Sequence, residues 1–256
     1  MKRLEGKKVL VTGAGIGIGF GIATLLAEEG AQVVFHCHNS ILGAQKGVNR
    51  INAQGGMAHI VQGDLSTEQA CFDLVNKSHE LMGGIDVLVN NSGISKSVKF
   101  TEASLNDLQL LYGVNFRSYF LCTQQAVRLM PETGGVVINI SSVHGFGGVP
   151  GNSIYASMKG AINALTRQLA VELAERNIRV NAVAPGHIEV ERHFTYANYS
   201  TEGSASRVPL GRVGRPEDIS KLVAFLASED GSFITGQIIY SDGGLTAGLN
   251  LPTREK

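Results

Sequence analysis

The stretch that decides the fold is Val9-Leu10-Val11-Thr12-Gly13-Ala14-Gly15-Ile16-Gly17-Ile18-Gly19. A short β-branched run leads straight into a loop with glycine at every second position from Gly13 to Gly19. Ile18, Ile22, Leu25 and Leu26 then recur at the spacing of one helix face. Strand, glycine loop and helix in that order carry a weight that isolated glycines lack. Glycine allows a tight turn, lets a ligand approach bare backbone, and lets the helix pack close to the strand. The unpaired N–H groups and positive dipole end at the helix start suit the diphosphate of a dinucleotide. Gly15, Gly17 and Gly21 also form a row of small residues, so part of the richness serves packing.

Glycine is in excess throughout: 32 of 256 residues, against an average usage of about 7%. The 22 basic and 22 acidic residues balance, charged residues make up only 17% of the chain, and 43% is apolar. That apolar content without net charge excludes a disordered chain, and the glycines show no collagen period. A chain with no basic excess is a poor partner for nucleic acid. Cys37, Cys71 and Cys122 are too widely spaced for a disulfide framework or a zinc pattern. The first residues lack an apolar run of signal-peptide length. No segment approaches the roughly 20 apolar residues of a membrane span. A cytoplasmic protein that engages no membrane is the expectation.

Outward from the first strand, apolar runs at 9–11, 32–35, 59–62, 87–89, 136–140, 179–183 and 237–240 read as strands. They are continuous rather than alternating, as in strands covered on both faces. Helical stripes lie between them, for example Ile162, Leu165, Leu169 and Leu173. Another is Ile219, Leu222, Val223 and Leu226, after the opening Pro216-Glu217-Asp218. The alternation predicts an α/β fold: a Rossmann-type, doubly wound, mainly seven-stranded parallel sheet with helices on both faces. A single domain over 1–256 is expected. The rhythm breaks at 187–214, polar and dotted with aromatics, which reads as a binding loop or as a surface excursion.

Four further pieces are specific. Asn90-Asn91-Ser92-Gly93 ends the fourth strand, and Asn115 lies in the next helix. Ser142 closes the fifth strand thirteen residues before Tyr155, which opens Tyr155-x-x-x-Lys159. Pro185-Gly186 follows the sixth strand. With the Thr12-Gly13-x-x-x-Gly17-x-Gly19 loop, this set resembles the classical short-chain dehydrogenases/reductases over essentially the whole chain. The resemblance implies an NAD(P)-dependent oxidoreductase that interconverts an alcohol and a carbonyl.

It also implies roles. Tyr155 would exchange the proton with the substrate oxygen, and Ser142 would hydrogen-bond that oxygen. Lys159 would bind the nicotinamide ribose and tune Tyr155, and Asn115 would hold a water in the proton relay. Tyr155 and Lys159, four apart, share a helix face. A free tyrosine titrates near pH 10, so bringing it to neutrality takes about three units, or roughly 4 kcal/mol. A neighbouring ammonium is expected to supply part of that. Cofactor contacts are expected from Gly13, Gly15, Ile16, Gly17, Ile18 and Gly19 in the loop, with His38 and Asn39 after the second strand. Asp64, Leu65, Asn91, Ser92, Gly93, Tyr155, Lys159, Pro185, Gly186 and Ile188 complete the set. Asp64 reads equally well as a helix cap beside Ser66.

An acid some twenty residues past the loop would hold an NAD ribose. Here Cys37 stands at that position, followed by the donors His38, Asn39 and Ser40. That favours NADP(H), with NAD(H) use possible; Ile16, where relatives often carry a basic residue, argues the other way. His36 and His38 have no third ligand at suitable spacing, so no metal is expected. Val190 occupies a position where the family often has threonine on the nicotinamide carboxamide, and valine cannot make that bond.

Ser142, His144, His187 and His193 are the substrate candidates, within polar and aromatic surroundings that suit a small polar molecule. The reading leans to a sugar or polyol dehydrogenase, with a 3-oxoacyl or other small-ketone reductase as alternative. A non-catalytic dinucleotide-binding regulator is the remote one. By resemblance the protein is a homotetramer, with the apolar tail 245–252 as a packing surface.

Overall fold

The computed structural model describes residues 2–248. Residues 249–252 of the proposed packing tail therefore lie outside the described residues. Seven strands are formed by Lys8–Val11 (β1), Gln32–Cys37 (β2), Ala58–Gln62 (β3), Val87–Asn90 (β4), Gly135–Ile140 (β5), Ile178–Pro185 (β6) and Ile238–Ser241 (β7). They make one sheet in the order β3-β2-β1-β4-β5-β6-β7, every pair parallel. The helices are Gly17–Glu28 (α1), Ile41–Ala53 (α2), Glu68–Met82 (α3), Leu105–Tyr112 (α4), Ser118–Leu129 (α5), Ser153–Glu172 (α6), Thr201–Ala205 (α7) and Pro216–Ala227 (α8). This is the doubly wound, Rossmann-type arrangement that the apolar periodicity predicts.

Alternation within a strand splits the core in two. Val9 and Val11 of β1 join a cluster with Ile22 and Leu26 of α1 and with Ile219 and Val223 of α8. Leu10, between them, joins Cys71, Leu74 and Val75 of α3 and Cys122 and Ala126 of α5 on the other face. Both faces are dry, which is why the strands read as unbroken apolar runs. The exception is a polar chain threaded through the sheet. Asn90 Nδ2 donates to Asn139 Oδ1 (3.0 Å) and Thr123 Oγ1 (2.9 Å), and Asn139 Nδ2 donates to Thr166 Oγ1 (3.0 Å). These buried amides are stable there because each finds a partner.

Between α4 and α5 the backbone does not break. Residues Gly113–Arg117 form a single π-turn inside an otherwise continuous helix. Such bulges rotate side chains off the α-helical register and concentrate at functional sites; here the turn carries Asn115.

The segment 187–214 is tied at its base. Glu189 N donates to Gly214 O (2.8 Å) and Gly214 N to His187 O (2.9 Å). Inside it, Tyr199 and Thr201 both donate to Glu189 Oε1 at 2.6 Å. The His187 ring stacks on Tyr199 with centroids 6.0 Å apart, and His193 lies 5.2 Å from each of those two rings. The segment packs on its own rings.

Candidate active site

The strand order reverses between β1 and β4, and in open α/β sheets ligands bind at that reversal, beyond the strands' C-terminal ends. A groove of about 800 Å³ lies there. Its two walls are stapled across the reversal. Asn91 N and Ser92 N both donate to Thr12 Oγ1 (2.9 and 3.0 Å), and Asn91 Nδ2 donates to Thr12 O and Gly13 O. A Cβ on Gly19 would overlap the Gly13 carbonyl and the Asn91 amide, so helix, loop and staple require glycine there. Gly13 and Gly17 have φ of +66° and +60°, the left-handed region that L side chains avoid.

Every expected cofactor residue lines this groove except Gly15. Gly15 faces Ser40 instead, and a side chain on it would strike that residue. The bare backbone at Gly15 leaves room for the β2–α2 connection at Ser40. Ile16, the N-cap of α1, makes no side-chain cap, and the first turn holds no acidic residue. The N–H groups of that turn are thus open to an anion, and the residues present fit a dinucleotide diphosphate. Cys37 is buried, while His38, Asn39 and Ser40 face the groove. Asp64 faces it as well; it is not the helix cap, since Thr67 caps α3 by accepting from Ala70 N, and the Asp64 carboxylate accepts from Ser66 N (2.9 Å) in the turn before it. Val190 lies over Gly17.

At the other end stand Ser142, Tyr155 and Lys159, with His144, His187 and His193 around them. The His144 ring meets Tyr155 edge-on at 5.5 Å, and His144 N donates to Ser142 Oγ (3.2 Å). Lys159 is fully enclosed. Its Nζ donates to Ile140 O (2.7 Å), beside Tyr119, whose hydroxyl donates to the same carbonyl (3.1 Å). Burial lowers the Lys159 ammonium to about 7. The Tyr155 phenol is raised by burial; the Ser142 hydroxyl and the Arg192 charge pull it back only in part. A phenol lowered by the lysine was expected. Here Lys159 spends its bond on the backbone, and desolvation dominates.

Asn115 does not line the groove. Both ends of its amide are bound to Ile94, accepting from Ile94 N and donating to Ile94 O at 2.8 Å each. It fixes the chain that leaves β4. Arg192, Asn152 and Ser95 also line the groove, and no sequence motif singles them out.

The family model described as enoyl-(acyl carrier protein) reductase matches residues 13–246. The 3-oxoacyl-(acyl-carrier-protein) reductase of Aquifex aeolicus is 38% identical, covering 95% of this chain and 98% of its own. Glucose 1-dehydrogenase 2 of Bacillus subtilis is 37% identical, covering 96% of each chain. A blue fluorescent protein from a metagenomic library, solved in complex with NADPH, superposes with a TM-score of 0.89. It is 34% identical, covering 95% of this chain and 99% of that one. The chain belongs to the short-chain dehydrogenase/reductase family. It is an oxidoreductase acting on CH–OH and carbonyl groups with a nicotinamide dinucleotide. No helix among the described residues is long and apolar enough to cross a membrane.

Proposed function

We propose that this protein is an NADP(H)-preferring dehydrogenase of a small sugar or polyol, with Tyr155 as the proton donor and acceptor. The observation that carries the reading is one groove with an uncapped helix N-terminus at one end and the Tyr155 phenol beside Ser142 at the other. A bound nicotinamide dinucleotide supplies the hydride donor or acceptor. In the reducing direction the Tyr155 phenol gives its proton to the carbonyl oxygen; in oxidation it takes the alcohol's proton. Ser142 Oγ holds that oxygen by a hydrogen bond. Lys159, at the groove floor, binds the ribose and offers positive charge when the phenolate forms. The Asn115 side-chain amide acts through Ile94, fixing the chain that leaves β4.

NADP(H) is favoured because no carboxylate stands at the end of β2, where His38, Asn39 and Ser40 offer donors to a 2′-phosphate. Histidine, serine and asparagine around Tyr155 suit hydroxyls better than an acyl chain. The second reading, 3-oxoacyl reduction, has the 38% identical reductase in its favour. Exposed Leu105, Leu108, Tyr112, Phe120 and Val171 on α4, α5 and α6 supply an apolar surface for the homotetramer we propose. We place the protein in the cytoplasm.

The test is a rate screen of aldoses, polyols, small ketones and 3-oxoacyl thioesters with both cofactors. Turnover of aldoses or polyols supports the reading. Silence on all of them with brisk 3-oxoacyl reduction reverses it.

A further inference from the structure

His36 sits on β2 directly under the glycine loop, 2% exposed. Both of its ring nitrogens are spent on main chain. Nδ1 lies 3.1 Å from Gly13 N, and Nε2 lies 3.1 Å from Gly63 O. A backbone N–H only donates and a carbonyl oxygen only accepts. Nδ1 is therefore bare and Nε2 carries the hydrogen, which fixes one neutral tautomer. The His36 carbonyl accepts from Ala14 N at 2.7 Å as well. One residue thus grips two successive amides of the glycine loop.

The far end of the ring is its anchor. Gly63 follows β3, immediately before Asp64 and Leu65, which line the same groove. The imidazole ties the end of β3 to the loop after β1. Desolvation holds its pKa at about 4, against the pull of Asp64 and with the push of His38, so the ring is neutral near pH 7. A protonated ring would aim a second N–H at the Gly13 N–H and break the bond.

We propose that His36 is a positioning residue for the dinucleotide: a two-ended neutral strut that sets the Gly13–Ala14 amides against the Gly63–Asp64 wall before the cofactor arrives. The proposal rests on the cofactor reading above and adds to it a residue that touches no reacting atom. A buried histidine that merely fills the core would make no distinction between its two nitrogens; the strut does.

Isosteric amides separate the two ends. In His36→Asn the amide oxygen falls near Nδ1 and can accept from Gly13 N. In His36→Gln the amide nitrogen falls near Nε2 and keeps only the Gly63 bond. His36→Leu keeps neither. The readout is the NADPH Kd from the fluorescence of the bound dinucleotide, without substrate, beside the Tm of each unliganded variant. Asn is expected within about threefold of the parent, while Gln, which loses the Gly13 bond, weakens binding about tenfold, the worth of one lost hydrogen bond, and Leu, which loses both, weakens it at least as much. With a turnover substrate, the loss should fall mainly on the cofactor KM rather than on kcat. Nitrogen NMR of the parent should show a bare Nδ1 and a protonated Nε2. Equal weakening by Asn and Gln, tracking Tm alone, overturns the strut, as does parent-like binding by Leu. If Leu does not fold, the Asn and Gln pair decides. A parent protein that binds neither NADPH nor NADH overturns the cofactor reading itself.

Discussion

The Lys159 ammonium lies 5.6 Å from the centroid of the Tyr155 ring, yet gives its hydrogen bond to the Ile140 carbonyl at 2.7 Å. The two groups are neighbours without being partners. Each is displaced by burial toward its neutral form, the lysine downward to about 7 and the tyrosine upward. The site thus holds a charge it solvates poorly, so the charged lysine is costly to the fold.

Lys159→Met should therefore separate stability from function. Methionine fills the space without the charge, and Ile140 O keeps the Tyr119 hydroxyl as donor. We expect the unliganded variant at pH 7 to be more stable than the parent by roughly 1–4 kcal/mol. Turnover should fall at least about a hundredfold. Urea unfolding and initial rates read the two effects; a destabilised variant would show that the ammonium contributes to the fold.

The same comparison has a pH signature. The folded pKa of Lys159 is below the free value, so folding favours the neutral amine. Above the free value, near 10.4, the amine is neutral in both states and the penalty vanishes. As pH falls toward about 7 the unfolded chain gains a proton the fold resists, and the penalty grows; below that it levels off. The stability gap between Lys159→Met and the parent should be widest at pH 7 and below and should narrow steadily toward pH 10. A constant gap would contradict the burial account.

Gly19→Ala tests the staple. The new methyl would meet the Gly13 carbonyl and the Asn91 amide, both fixed by other bonds. We expect a stability loss of about 1–3 kcal/mol. Cofactor Kd should rise at least about tenfold as the loop shifts. Unchanged binding by titration would mean the loop does not hold the diphosphate.

His38→Asp tests the cofactor preference. A carboxylate at the ribose end accepts from a 2′-hydroxyl and repels a 2′-phosphate. The ratio of kcat/KM for NADP(H) over NAD(H) should fall at least about tenfold. A parent that prefers NAD(H) a hundredfold, or a variant with no change in ratio, would refute the assignment.

What could be read from the chain alone was what is local in it. The glycine loop, the Tyr155–Lys159 pair and the strands each sit within a few residues. The observed strands differ from expectation mainly by extension of β2 to Cys37 and β6 to Pro185. What could not be read depends on distant partners. His36 looked like half of a pair with His38, but its bonds go to Gly13 and Gly63, 23 and 27 residues away. Lys159 reads as aimed at Tyr155, yet the carbonyl it serves belongs to β5. Asn115 reads as a water ligand until Ile94 is brought beside it by the π-turn. Gly15 counted as cofactor-facing because nothing in the sequence places Ser40 against it.

The proposed function depends above all on the Tyr155 phenol moving the proton. Its most direct test is kcat for Tyr155→Phe on the best substrate from the screen, with NADPH Kd measured on the same sample. A loss of about a thousandfold or more in kcat, with Kd nearly unchanged, is the expected outcome. Retention of more than about a tenth of the parent rate, with cofactor still bound, would contradict it.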